Sequence, residues 1–460
     1  MVRKNEIDMI NGNLFKKILL FSFPLILSSV LQLLYTAMDL IVCGMFGSTN
    51  STAAISSTNS LVHLITNLFL GLSVGANVLM SRCYGMNNKE KGQKVVYTAM
   101  IFSVIIGVVI GMFGFFMSRT FLQLMGTTSD VIDLSTNYLE IFFLGLPFSM
   151  IYNFGSSILR AVGDTKRPFY YLSFAGIFNV LLNLLFVIVF KLDVAGVALA
   201  TIIAQAISAI LVVRCMLKNK GFFEFKVCDI KFHLKEALDI TRIGLPAGIQ
   251  GTLFSLSNVI IQSSVNTLGT DVVGGNGASG SLEGFIYVAM NSVAQACVAF
   301  VSANYGAKNY KNINSVIRYS SILIVVMNFI VGGLVLLFHK PLLSLYVHTD
   351  IAIEAGMQRI IIIATTYFLC GLMDVMAYSI RGIGYSIVPT VVSLCGICGF
   401  RLLWIFYVFP LEQFNNIQGL AVSYPISWIL TGCLQLIMLL ILLKRVKVKL
   451  GAQDMQLFVK

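Results

Sequence analysis

The chain has 460 residues, 57% of them hydrophobic and only 11% charged, with a mean hydropathy of +0.87. A soluble domain carries about 25% charged residues, so these figures exclude a soluble enzyme, a disordered chain and a nucleic-acid binder, and make lipid part of the solvent. The net charge of +12 then reads as the basic excess of cytoplasmic loops, not as a surface for nucleic acid.

The chain opens polar, at Arg3, Lys4, Asn5 and Glu6, and enters a long apolar stretch near Leu14. No small-residue cleavage pattern follows, so this first segment is expected to stay as a helix. Apolar runs predict twelve spans, at about 15–45, 54–80, 95–117, 134–159, 168–190, 194–217, 243–268, 278–303, 317–338, 356–380, 388–410 and 418–443. Each is long enough to cross about 30 Å at about 1.5 Å per residue. The longest polar stretch is 218–242. Its end mixes Ile230, Phe232, Leu234, Leu238 and Ile240 with Lys and Glu, which predicts a short helix lying on the inner membrane face. The expected organisation is an N-terminal six-helix lobe (1–217), a cytoplasmic linker (218–242), a C-terminal six-helix lobe (243–443) and a cytoplasmic tail (444–460).

Twelve spans put both termini on one side. That side receives 27 of the 32 Lys and Arg residues, and the other only Arg119, Lys191, Lys340 and Arg359, with Arg401 inside a span. The asymmetry predicts a multi-pass protein of the plasma (inner) membrane with both termini cytoplasmic. Nine scattered cysteines fall mostly in apolar runs and read as small hydrophobes, including the Cys395-Gly-Ile-Cys398 pair.

The chain repeats itself. At an offset of 221, Ser81-Arg-Cys-Tyr-Gly85 meets Ser302-Ala-Asn-Tyr-Gly306, Arg160-Ala-Val-Gly163 meets Arg381-Gly-Ile-Gly384, and Pro168 meets Pro389; at 222, Pro24 meets Pro246 and Gly47 meets Gly269. Six helices per half make the repeat parallel. The predicted fold is therefore an all-α polytopic membrane protein of twelve transmembrane helices, in two parallel six-helix repeats forming two lobes around a central cavity. That is a transporter pattern. No clustered His, nucleophile–base pair or metal spacing appears in the spans, so neither an enzyme nor a cofactor is expected.

Charges within spans are costly and mark function by default. Asp39 stands deep in the first span, where an anion needs a partner, water or a proton. It is a candidate to bind H⁺, or Na⁺ with neutral oxygen ligands. Asn179 and Asn183 are four apart and share a helix face. With Asn153 on the fourth span they are candidate partners of Asp39. In the second half the candidates for the substrate cavity are Glu283, Asp374, Arg401 and Gln250, with Arg401 expected as the countercharge of one acid. Tyr35 and Met38, beside Asp39, are candidate cavity residues for a cationic ligand. Pro24, Pro246, Arg160, Gly163, Arg381 and Gly384 are candidate gate or hinge positions, with helix capping as the plainer reading.

The Pro24 helix with Asp39 and Gly44, the Arg160-Ala-Val-Gly-Asp-Thr-Lys-Arg-Pro168 loop and its repeat at Arg381 resemble the multidrug and toxic compound extrusion (MATE) family over about 14–443, and within it the DinF-like prokaryotic branch more than the NorM branch. The resemblance implies an antiporter, coupled to H⁺ or Na⁺, that exports organic and often cationic amphipathic compounds by alternating access. Its partners would be small organic substrates, the coupling ion and the bilayer, and a monomer is expected. In the family a first-helix Asp works with amides on helix four and with an Asn and an Asp on helix five. Asp39, Asn153 and Asn179 match, while Asn183 stands where a carboxylate is often found. The second-lobe acids of the NorM branch are not carried over to Asp374. The alternative is a lipid-linked saccharide flippase of the wider superfamily, against which the single intramembrane Arg401 speaks.

Overall fold

The structure, a computed structural model, describes residues 6–48 and 50–457, so the expected N-terminal charges Arg3 and Lys4 lie outside the described residues. Lipid offers the backbone no hydrogen bonds, so a spanning segment satisfies its own N–H and C=O groups as a helix. Twelve helices long and apolar enough to span are present among the described residues. They are α1 (Leu14–Phe46), α2 (Ser51–Gly85), α3 (Lys89–Leu124), α4 (Ser129–Ala161), α5 (Lys166–Val189), α6 (Asp193–Leu217), α7 (Leu234–Asn266), α8 (Thr270–Gly306), α9 (Tyr310–Leu337), α10 (Asp350–Gly382), α11 (Ile387–Val408) and α12 (Ile417–Val448). Large side chains such as Phe116 on α3 and Phe329 on α9 stay about as exposed as a surface residue, at 69% and 73%, which only a lipid solvent makes favourable.

Most helices overrun the apolar run that announced them, because polar turns continue the same hydrogen-bond ladder. The clearest case corrects an expectation. Residues 229–242 do not form a separate surface helix; after one 3₁₀ turn at Val227–Asp229 the chain enters α7 at Leu234 and continues unbroken through Pro246. Ala237, Ile240 and Gly244, spaced three and four apart, are buried as one stripe, and this packing draws the polar turns into the span's own helix. At the other end the chain stays helical past α12 to Leu457, so the expected tail is largely a helical extension.

The repeat is, physically, a repeat of chain reversals. Helix α2 ends with Asn87 in the left-handed region (φ +50°) and the bonds Asn87 N–H to Tyr84 O (3.1 Å) and Asn88 N–H to Cys83 O (3.0 Å). Helix α8 ends the same way, with Lys308 at φ +56° and bonds to Tyr305 O (3.2 Å) and Asn304 O (2.9 Å). Asn88 and Asn309 then cap the next helices, accepting from Lys91 N–H (2.9 Å) and Asn312 N–H (3.2 Å). Helices α4 and α10 close on Gly163 (φ +94°) and Gly384 (φ +99°), each with the paired back-bonds of a Schellman cap. After Gly163, the buried Asp164 accepts from the Arg167 N–H (3.2 Å) and pairs with the Arg167 guanidinium. Burial raises the Asp164 carboxyl above its ordinary value, with Arg167 opposing.

A Cβ at Gly163 would meet the carbonyl of Ile7, whose N–H donates to the Gly163 O (3.0 Å). Gly163→Ala is therefore expected to cost at least about 1–2 kcal/mol from the backbone conformation alone, read as a lower unfolding temperature in lipid–detergent micelles. An unchanged transition would show that the turn relaxes freely.

By packing, the chain forms two units. Among the described residues, one holds 6–8 and 27–248, and the other 9–26 and 249–457. The chain thus passes from one unit to the other two residues after Pro24 and again two residues after Pro246. The first unit buries Phe69, Phe143 and Phe154. The second buries Phe21 against Phe300, edge to face at 5.3 Å between centroids, and anchors the incoming chain through Asn304 to Met9 O (2.8 Å) and Asn312 to Ile10 O (2.6 Å).

Candidate functional site

In the first unit, α1, α5 and α6 bring four polar side chains together. Asp39 lies seven residues before the end of α1 and is only 9% exposed. Asn183 donates to its Oδ1 at 2.6 Å, and Thr201 to its Oδ2 at 3.5 Å. Asn179 donates to Thr201 Oγ1 at 3.2 Å and its own oxygen accepts from Asn183 at 3.5 Å, closing the cluster. No cation among the described residues forms an ion pair with Asp39, so neutral donors alone hold this carboxylate. The Asn183 Oδ1 is buried with no partner. Three side-chain oxygens, of Asn179, Asn183 and Thr201, thus accompany the two of the carboxylate, and that of Asn183 is an unused acceptor. That donor set suits a proton on the carboxylate, or a hard monovalent cation such as Na⁺ bound by oxygen alone.

Local sequence explains the placement. Asn179 and Asn183 share a face of α5, which turns π-helical at Leu185–Val189 just beyond them. Asp193, in the left-handed region at φ +52°, starts α6 and is held by the Ser48 (2.7 Å) and Ser51 (2.5 Å) hydroxyls. Eight residues later α6 delivers Thr201. Tyr35, one turn before Asp39, donates to Leu172 O at 3.3 Å and lays its ring where a Cβ at Gly176 would stand. Met38 is half-buried.

Asn153 is not brought to this cluster. Its amide donates within its own helix, to Ser149 O (2.9 Å) and Ser149 Oγ (3.4 Å). An amide in an apolar helix can satisfy itself this way, and the position along the chain does not reveal it. Thr201 takes the place in the cluster, and sequence reasoning missed it. The available signal was a hydroxyl inside a span whose mean hydropathy is 2.3.

The second unit holds a different set. Glu283 on α8 pairs with Arg359 on α10 at 2.6 Å, and Arg359 also donates to Ser279 (3.3 Å). The expected countercharge, Arg401, does not pair with either acid. It stacks on Tyr424 (3.9 Å to the ring centroid), lies 5.9 Å from the Trp428 ring and donates from Nε to Ser427 (3.1 Å). Arg359 lies nine residues inside α10 and is buried among its neighbours, not in a loop. Asp374 is 8% exposed and makes no hydrogen bond or ion pair among the described residues. Gln250, in the part of α7 that belongs to this unit, accepts from Arg381 (2.6 Å), which also lies over Tyr378 (5.2 Å). The matching Arg160 lies in the last turn of α4 in the first unit.

With this geometry in hand, comparison with known proteins is direct. The MatE family pattern matches residues 24–185 and 246–406, one match for each repeat. The chain is 29% identical over 423 residues to the Bacillus subtilis (strain 168) protein named "Probable multidrug resistance protein YoeA", covering 89% of this chain and 90% of that one. It is 21% identical over 437 residues to the FAD transporter of Shewanella oneidensis, covering 93% and 95%. A crystal structure of a MATE protein in complex with MaL6 superposes with a TM-score of 0.89 at 20% identity, over 97% of this chain and 100% of that one, which shows a shared fold. Both halves of the chain belong to the MATE family of transporters.

Proposed function

We propose that this transporter exports small organic compounds, amphipathic cations among them, in exchange for H⁺ or Na⁺ taken up at Asp39. The observation that carries the reading is a buried carboxylate held only by neutral donors, beside an amide oxygen with no partner. Such a group holds a proton or cation readily and releases it readily, because no fixed positive charge competes. The names of the relatives, one for multidrug resistance and one for FAD, support organic molecules as cargo. A coupling ion moves an alternating-access equilibrium only by binding one state better than the other. The exchange of helix segments between units just after Pro24 and Pro246 supports these prolines as hinges. The protein acts as a multi-pass membrane monomer with both termini cytoplasmic.

Efflux of organic cations from proteoliposomes, under a proton gradient in one arm and a sodium gradient in the other, tests the reading. Export driven by either gradient supports it, and export indifferent to both overturns it. Thr201→Val removes one donor from Asp39 and one acceptor from Asn179. A hydrogen bond to a charged group is worth about 1.5–3 kcal/mol, and the long 3.5 Å contact lies at the weak end. The concentration of coupling ion giving half-maximal efflux is expected to shift about tenfold.

A further inference from the structure

The second unit carries a buried positive charge that nothing in it neutralises. Arg359 is paired with Glu283. Arg381 donates to Gln250, and Asp374 stands seven residues before it on α10. Three arginines and two acids leave Arg401 as the surplus, 6% exposed and inside a span. A single buried cation is expensive without a countercharge.

Its surroundings occupy only part of the guanidinium. Tyr424 takes the face of the guanidinium, and Ser427 takes Nε. Trp428 stands beside Tyr424 at 5.9 Å and beside Tyr367 at 5.2 Å, walling the group on the aromatic side. The two terminal nitrogens have no acceptor among the described residues, yet they are not among the sealed, unpartnered atoms. They form the planar fork that matches a carboxylate or a phosphate with two parallel bonds. The backbone is shaped here as well. Residues Phe400–Leu403 are one short α segment between π-helical turns at Leu394–Gly399 and Trp404–Val408, and such turns re-aim side chains within a helix.

The repeat sharpens this. Helix α11 is the counterpart of α5, and Phe400, next to Arg401, is the counterpart of Asn179 at an offset of 221. The counterpart of Asp39, at 222, is Ile261. The second unit thus has no acid where the first has Asp39, and its surplus guanidinium stands one residue along from the counterpart of Asn179.

We propose that Arg401, with Tyr424 and Ser427, binds the acidic group, carboxylate or phosphate, of an anionic or zwitterionic substrate. The proposal rests on the transporter reading and extends its cargo beyond cations. The test uses the full chain in phosphatidylcholine nanodiscs with fluorescein, an aromatic carboxylate, as the probe and anisotropy as the readout. Saturable binding is expected, displaced by benzoate and weakened at least about tenfold in Arg401→Gln. Arg401→Lys, which keeps the charge and loses the planar fork, is expected to fall between. Absence of saturable binding overturns the proposal, as does binding that benzoate leaves in place or that Arg401→Gln leaves at full strength. The benzoate arm needs only the wild-type protein, so it decides even if the variants fail to fold. Loss of dye binding when phosphatidylglycerol replaces part of the lipid supports the site and assigns its occupant to a headgroup phosphate; retained binding supports a soluble acid. No gradient is imposed, so failure here leaves ion-coupled efflux at Asp39 untouched.

Discussion

Asp39→Asn abolishes gradient-driven efflux while the protein still reaches the membrane. The side chain keeps nearly the same shape and can still meet Asn183 and Thr201, so packing changes little. What it loses is the ability to take a proton, or to offer a negative charge to a sodium ion. No second acid stands in the cluster to substitute, because the neighbours on α5 are the amides Asn179 and Asn183. Efflux is expected to drop to that of empty vesicles under both gradients, with protein amount checked by immunoblot. Efflux at wild-type rate in this variant would sink the coupling mechanism. The reverse change, a carboxylate at Asn183, would put two acids within hydrogen-bond reach and shift the dependence on external ion concentration.

Arg359→Met destabilises the second unit by about 3–5 kcal/mol, because it removes the partner of Glu283 in a largely buried place. The double change Arg359→Met with Glu283→Leu recovers most of that loss. An apolar pair of similar volume makes no demand for a countercharge. Thermal unfolding read by a thiol-reactive dye suits this experiment, since Cys297 and Cys370 are free and buried in the same unit. Equal unfolding temperatures for the single and double variants would show that the pair is not energetically coupled. The Arg401 stack on Tyr424 should survive both changes, which separates the two arginines by function.

Much of the fold was legible along the chain. Lipid forces each crossing to be a helix of about 20 residues or more, so twelve apolar runs imply twelve helices. The repeat was legible for a related reason. Chain reversals need particular residues, and Gly163 and Gly384 mark the same turn in each half. Asp39, Asn179 and Asn183 were legible as polar groups where lipid permits few. Thr201 was not, because a hydroxyl in a helix can bond the carbonyl one turn back, as Thr36 and Ser208 do, and nothing in sequence says which hydroxyl turns outward.

The charges show the division most plainly. Composition along the chain determined that lipid is the solvent, which acids and arginines are costly, and how many helices carry them. It could not determine who pairs with whom. Glu283 and Arg359 are 76 residues apart and meet only because α8 and α10 turn facing sides together. Arg401, on a short α segment between two π turns of α11, meets Tyr424 and Ser427 on α12. Hydropathy is summed along a helix and is nearly blind to rotation about its axis. Partner choice depends on that rotation, and the packing of neighbouring helices alone fixes it.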